Sequence, residues 1–132
     1  MSSIKQIKKP SIAISAGDPA GIGPEVTVKA LADPSLYAIC NPLVVCDSRI
    51  ILKAVEFCNL ELVVNRIREP EEGLYEPGMI DVLDMPNVDM GQFSYGQVQA
   101  MTGDASFSYI RKTIELAIHG KVDATVTGPI NK

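Results

Sequence analysis

The chain has 132 residues, of which 46% are hydrophobic and 21% are charged, as is usual for a globular domain. Its formal charge of -4, with no basic stripe beyond the short KQIKK near the start, argues against a nucleic-acid-binding protein. No apolar run approaches the roughly 20 residues of a membrane span, and the first residues lack the apolar core of a secretory signal, so we expect a cytoplasmic protein.

Apolar runs alternate with helical patterns along most of the chain. The runs SIAIS, PLVVC, LELVVNRI and MIDVLDM, and the apolar part of KVDATVTGPINK, predict five strands. Helices are predicted from about Ile22 to Ala32, with Pro24 in the first turn, and over residues 47–59, with Asp47 or Ser48 as the N-cap. We therefore predict an α/β fold, with a mostly parallel sheet covered by helices on both faces. Residues 1–132 are expected to form a single unit and residues 1–10 a flexible tail.

The longest predicted helix lies in the last third of the chain. The sequence predicts that Thr102 caps it and that Gly120 ends it in the left-handed conformation. Its predicted buried face consists of Phe107, Ile110, Ile114, Ala117 and Ile118. The preceding segment, PNVDMGQFSYGQVQAM, has no clear period, and its length suggests a functional or interface loop.

The cysteines and the single histidine are interpreted as structural. Cys40, Cys46 and Cys58 are odd in number, lack the spacing of a zinc or thioredoxin motif and lie in apolar surroundings, so we predict core thiols. His119 precedes Gly120 at the end of the long helix, where an imidazole favours the helix C-terminus. No metal site is predicted in this chain.

The stretch ISAGDPAGIGPEV, residues 14–26, is the first candidate for a binding site. It joins the end of a predicted parallel strand to the start of a helix, which is where such sheets bind ligands. Gly21 and Gly23 would allow close approach of a ligand to the first helical N–H groups, and Asp18 could accept a hydroxyl or an ammonium group. The pattern matches neither the dinucleotide fingerprint nor the phosphate-loop motif, so a simple turn remains an alternative.

The last strand ends in a second candidate loop, VTGPINK. Thr127, Gly128, Asn131 and Lys132 would lie near the same edge of the sheet as Asp18. Their polar groups could bind an anionic substrate, and a strand end with a solvated polar tail is the alternative.

The two loops also carry a family resemblance. GDPAGIGPE and GKVDATVTGPINK, with YGQVQAMTGDASFSYIRKTIELA between them, resemble the 4-hydroxythreonine-4-phosphate dehydrogenases of vitamin B6 biosynthesis. The isocitrate and isopropylmalate dehydrogenases are similar in fold and carry a related GDGIGPE turn, but the Pro19-Ala20 pair favours the former family. The resemblance covers essentially all 132 residues. It implies an isocitrate/isopropylmalate dehydrogenase-like fold, of which this chain would be the N-terminal portion.

The resemblance implies NAD-dependent oxidation and decarboxylation of 4-phosphohydroxy-L-threonine to an aminoketone phosphate. In the family, a divalent metal ion (Zn, Mg or Co) is bound by histidines from both subunits of a homodimer. The metal-binding histidines, the Gly-His-Thr segment and the later substrate-binding residues of the family would lie beyond the last residue of this chain, so no catalytic or metal-binding residue is assigned here. The matching positions are assigned to the floor of the substrate and cofactor cleft: Asp18, Gly21, Gly23, Thr127, Gly128, Asn131 and Lys132.

Two alternatives to this function remain open. A related dehydrogenase of phosphorylated threonate or erythronate would share both loops. A non-catalytic phosphate- or nucleotide-binding module would use the same edge of the sheet without hydride transfer. In each case the expected ligand is a small phosphorylated molecule, and the 132-residue chain alone is expected to be inactive.

Overall fold

The computed structural model describes residues 9–93 and 99–128. Within these ranges the predicted strands are all present, and each strand is followed by the connection that the sequence suggests. The strands are β1 (Ser11–Ser15), β2 (Asn41–Cys46), β3 (Val63–Ile67), β4 (Met79–Asp84) and β5 (Ala124–Thr127). The helices are α1 (Gly23–Leu31), α2 (Ser48–Phe57) and α3 (Ala100–Ile118), and short 3-10 helices cover Pro34–Ala38 and Pro70–Glu72.

The five strands form one sheet in the order β3-β4-β2-β1-β5. All four strand pairs are parallel, which confirms the predicted fold class. Ser15 at the end of β1 is in register with Val45 on one side and with Thr127 on the other. The carboxyl ends of all five strands therefore lie at one edge of the sheet, which we call the carboxyl edge.

Helices cover both faces of this sheet. The connections through α1 and α2 run in one direction along the sheet, and the connection through α3 runs in the other. Because such crossovers are right-handed, α1 and α2 lie on one face and α3 lies on the opposite face. The core between these layers is apolar and includes Ala13, Val28, Leu43, Val44, Val45, Ile51, Ile80, Val82 and Tyr109.

Local signals in the sequence explain how α1 and α2 begin. Pro24 lies in the first turn of α1, where its missing N–H costs no helical hydrogen bond. Asp47 is the N-cap of α2, and its carboxylate accepts the N–H of Arg49. The alternative cap, Ser48, is the first residue of the helix.

The start and the buried face of α3 differ from the prediction. The helix begins at Ala100, so Thr102 is not its cap; the Thr102 hydroxyl donates to the carbonyl of Gln99. The predicted apolar face is largely exposed, by 71% at Phe107 and by 74% at Ile118. The buried residues are mostly small or hydroxyl-bearing: Thr102, Ala105, Ser106, Tyr109, Thr113 and Leu116. Small side chains let a helix pack closely against a sheet. A face of small and hydroxyl-bearing residues gives a weak hydrophobic period, so the sequence pattern does not identify it as the buried face.

The end of α3 agrees with the prediction, but β5 does not. Gly120 follows the helix with φ of 70°, the left-handed conformation that glycine adopts without strain. The apolar run of KVDATVTGPINK predicts a buried strand, yet all four residues of β5 are exposed, Val126 by 51%. The reason is its position at the edge of the sheet, where only β1 pairs with it.

The cysteine prediction is confirmed for two of the three residues. Cys40 and Cys46 are buried, whereas Cys58 at the end of α2 is half-buried, and all three are free thiols. The expected tail falls largely in residues 1–8, outside the described part of the chain. No helix among the described residues is long and apolar enough to cross a bilayer.

Candidate functional site

The loop after β1 is a compact turn built around Asp18. The Ala20 N–H donates to Asp18 Oδ1 at 2.8 Å, and the Gly21 N–H donates to the Asp18 carbonyl at 2.9 Å. Gly17 has a φ of 80°, which an L side chain rarely adopts. Asp18 is only 3% exposed, so its side chain is buried at the carboxyl edge of the sheet.

The loop after β5 lies directly beside this turn. Thr127 is in register with Ser15, and the Gly128 N–H donates to the Ser15 carbonyl at 2.7 Å. The structure thus places Asp18 and Thr127 on loops that leave neighbouring strands at the same edge, as the sequence predicts. Asn131 and Lys132 lie outside the described residues.

Two of the glycines serve packing between the loops. A Cβ on Gly23 would lie 1.8 Å from the Ala16 carbonyl oxygen, and one on Gly128 would lie 2.8 Å from the same atom. Both glycines therefore pack against the backbone at the end of β1. For Gly23 this differs from the expectation that its lack of a side chain makes room for a ligand, because the space is filled by the chain itself.

Gly21 differs from the other two glycines. A Cβ at this position would meet the Asp18 carbonyl oxygen at 3.4 Å, an ordinary contact. Gly21 also lines an open cavity of about 300 Å³ with Ala20, Ile22, Pro24, Glu25, Ala54 and Phe57. Of the predicted glycines, Gly21 is the one that faces space in which a ligand could lie.

Two polar features lie beside these loops at the end of β1 and the start of α1. The N-cap residue of α1, Ile22, makes no side-chain hydrogen bond to the first turn of the helix, unlike Asp47 at α2. The Ser15 hydroxyl is fully buried at the end of β1 and has no hydrogen-bond partner in the described part of the structure. An anion or a hydroxyl group could be bound by such groups.

Sequence analysis missed a second set of polar residues at the carboxyl edge, between β2 and β4. The connections that follow these neighbouring strands leave toward opposite faces, which makes their carboxyl ends a topological switch point, the usual place for a ligand in such sheets. Asp47, with a fully buried side chain, accepts hydrogen bonds there from the Arg49 guanidinium at 2.7 and 3.0 Å and from the Val88 N–H at 3.2 Å. Only the helix-capping role of Asp47 had a signal in the sequence.

Tyr109 ties this network to α3. Its hydroxyl accepts the Asp47 N–H at 3.2 Å and donates to the Asn87 side chain at 2.9 Å. Burial raises the pKa of Tyr109, so the phenol stays protonated. Burial also opposes ionisation of Asp47, but the hydrogen bonds from Arg49 and Val88 outweigh it and lower the pKa of the carboxyl. The network therefore contains an ion pair that is charged at neutral pH.

The described residues offer no donor set for a metal ion. No three His, Cys, Asp or Glu side chains lie together within residues 9–93 and 99–128. His119 is exposed and forms the C-cap of α3, with its N–H donating to the Glu115 carbonyl.

Comparisons with known proteins agree with this geometry. A protein from Symbiobacterium thermophilum, described provisionally as a D-threonate 4-phosphate dehydrogenase, is 52% identical over 124 residues, which are 94% of this chain and 37% of that protein. The crystal structure of a 4-hydroxythreonine-4-phosphate dehydrogenase from Burkholderia phymatum matches with a TM-score of 0.92 and 41% identity, over 96% of this chain and 38% of that one. The corresponding enzyme from Klebsiella pneumoniae matches with a TM-score of 0.86 and 36% identity, over 94% and 38% of the two chains.

The chain thus spans little more than a third of the length of the proteins it resembles. A family profile described as pyridoxal phosphate biosynthetic protein PdxA matches residues 38–132, and the loop residues around Asp18 precede that match. The matched residues contain four of the five strands and both of the longer helices, and they include the second loop. The chain belongs to the PdxA family.

Proposed function

We propose that this chain forms the N-terminal part of an NAD-dependent dehydrogenase that oxidises a small phosphorylated hydroxy acid. The observation that carries the proposal is the meeting of the Asp18 and Thr127 loops at the carboxyl ends of β1 and β5. In an open parallel sheet this edge is where ligands bind, and the buried Ser15 hydroxyl and the uncapped start of α1 lie at the same place.

The relative with 52% identity supports D-threonate 4-phosphate as the substrate. The two solved structures are of 4-hydroxythreonine-4-phosphate dehydrogenases, which supports 4-phosphohydroxy-L-threonine as the second candidate. Both substrates carry a phosphate group and a secondary alcohol. The alcohol is on the carbon β to the carboxylate. Oxidation of that alcohol gives a β-keto acid, which loses CO2. The second candidate would give an aminoketone phosphate for pyridoxal phosphate synthesis.

The roles proposed for the residues of this chain follow from their positions. The first-turn N–H groups of α1 and the Ser15 hydroxyl would bind oxygen atoms of the substrate or of NAD. Asp18 would accept a hydrogen bond from a hydroxyl or an ammonium group, because its carboxylate repels an anion. Thr127 would contribute a hydroxyl from the neighbouring loop.

NAD would accept the hydride from the alcohol carbon. A divalent metal of the kind used in this family would have to be bound by residues outside 9–93 and 99–128, because the described side chains form no such cluster. We also propose a homodimer as the active form, on the basis of the family resemblance.

The proposal is tested with the complete gene product, purified and assayed for NADH formation with each of the two substrates. We expect turnover with D-threonate 4-phosphate to exceed that with 4-phosphohydroxy-L-threonine, and we expect none with the unphosphorylated acids. The 132-residue chain serves as the comparison and should show no turnover. Absence of NADH formation with both phosphorylated substrates would contradict the proposal.

A further inference from the structure

A second cleft opens at the carboxyl edge, on the other side of the switch point from the Asp18 and Thr127 loops. One part of it is a cavity of about 130 Å³ lined by Ser48, Arg49, Leu52, Val64 and Arg66. An adjoining cavity of about 420 Å³ is lined by Arg66, Ile67, Arg68 and Asp84. Arg66 lines both cavities, and we call the two adjoining cavities together the arginine cleft.

The polar groups of the smaller cavity are hydrogen-bond donors. No carboxylate lines it, although the chain as a whole is acidic. Ser48 is only 3% exposed, and its hydroxyl makes no hydrogen bond to another described residue, so it is available to the cavity. Ser48 is also the first residue of the ten-residue helix α2, where the Asp84 and Asp47 carboxylates already accept the N–H groups of Ser48 and Arg49.

The guanidinium groups around the cleft are held in different ways. Arg49 is oriented by Asp47 and by the Val88 carbonyl, which use its Nε and Nη2 atoms and leave Nη1 without a partner among the described residues. Arg66 and Arg68 form no ion pair within the described part of the chain. The cavity of the Ser48 hydroxyl is therefore lined by one fixed arginine, Arg49, and one without an ion pair, Arg66, while Arg68 lines the adjoining cavity.

Asp84 divides the cleft by charge. Its Oδ1 accepts the Ser48 N–H at 2.8 Å, and its carboxylate lines only the larger cavity. An anion beside Ser48 would therefore be bound by the guanidinium groups of Arg49 and Arg66, against the repulsion of the nearby Asp84 carboxylate. On the other side, Asp84 could accept a hydroxyl group of the same ligand.

We propose that the arginine cleft binds the phosphate group of a phosphorylated metabolite, with Ser48, Arg49 and Arg66 as its donors. Paired guanidinium and hydroxyl donors suit the tetrahedral oxygens of phosphate, and the carboxyl edge is where an open parallel sheet binds ligands. The site goes beyond the proposed dehydrogenase function. β3 and β1 are three strand spacings apart in the sheet, about 14 Å, so the cleft is separate from the Asp18 loop.

The test uses inorganic phosphate as the probe and the complete gene product, with binding measured by isothermal titration calorimetry at constant ionic strength. Arg66→Gln is expected to weaken phosphate binding about tenfold or more, because a charge-assisted hydrogen bond is lost. Ser48→Ala should weaken binding by a smaller factor. Arg66→Lys, which keeps the charge but not the planar fork, should fall between wild type and Arg66→Gln.

Arg111→Gln is the matched control, since it removes the same charge from an exposed position on α3, on the opposite face of the sheet. Binding that is unchanged in Arg66→Gln, or equally weakened in Arg111→Gln, would overturn the proposal. Melting temperatures of all variants show whether the fold is retained. Turnover of the two phosphorylated substrates is measured on the same samples: its absence in the wild type would count against the dehydrogenase, while the Arg66 comparison decides the phosphate site.

Discussion

At the scale of single residues, the glycines of the two loops have different structural roles. Gly23 and Gly128 lack side chains because the Ala16 carbonyl occupies that space, whereas Gly21 borders an open cavity. The sequence places Gly21 and Gly23 two residues apart and cannot show that only Gly23 packs tightly against backbone. That distinction depends on how β1, α1 and β5 pack together.

The glycines give a first prediction. We expect Gly23→Ala to lower the free energy of unfolding by about 3 kcal/mol, because the new methyl group overlaps backbone that must move. Gly21→Ala should change the free energy of unfolding by less than about 1 kcal/mol, since the new Cβ makes only ordinary contacts. Alanine also reduces the conformational entropy of the unfolded chain, which favours the folded state. Urea denaturation of the two variants provides the comparison. Equal losses in both variants would show that the loop packs differently.

Asp47 gives a second prediction. Asp47→Asn should lower the free energy of unfolding by about 2 to 3 kcal/mol at pH 7. The amide NH2 group would point its hydrogens at donors of Arg49 and Val88, and the Arg49 guanidinium would lose its carboxylate partner. The pKa of Asp47 in the folded protein lies below its usual value of 3.8, so its contribution is present at neutral pH. The contribution is lost as the pH falls below about 4 and through the lowered pKa.

The measurement is chemical denaturation at several pH values, with exposed Asp104→Asn on α3 as the control. The difference between wild type and Asp47→Asn should be full at pH 7 and should shrink below pH 4. A difference that does not depend on pH would mean that Asp47 is not ionised in the folded state.

At the scale of secondary structure, the strands were predictable and the orientation of α3 was not. Each strand is an apolar run bounded by turn residues, which is a local signal. The buried side of α3 is instead selected by close packing against the sheet and by the hydrogen bonds of Tyr109, which are long-range features. The apolar stripe that the sequence suggests is real, but it faces outward.

The outward stripe leads to the third prediction. Phe107→Ser should change the free energy of unfolding by less than about 1 kcal/mol, because the side chain is 71% exposed, and it should reduce binding of an apolar dye by the 132-residue chain. Leu116→Ala, on the buried face, should cost about 3 kcal/mol. If Phe107→Ser proved as destabilising as Leu116→Ala, α3 would be rotated relative to this structure.

At the scale of the whole molecule, the parallel sheet brings together segments that are distant in sequence. Asp18 and Thr127 are separated by more than a hundred residues and meet because β1 and β5 are neighbours. The order of strands also creates the switch point between β2 and β4. No local sequence pattern predicts this switch point. The sequence therefore predicts the first site through its two motifs, and the arginine cleft emerges only from the topology.

The central claim is that the Asp18 loop is part of a binding site and more than a turn. Asp18→Asn in the complete gene product tests it most directly, since the amide oxygen still accepts the Ala20 N–H while the charge is removed. We predict that kcat/KM for the phosphorylated substrate falls more than about tenfold, while the melting temperature shifts by less than about 3 °C. A lowered melting temperature with unchanged kinetics would contradict the claim and would leave the loop as a structural turn.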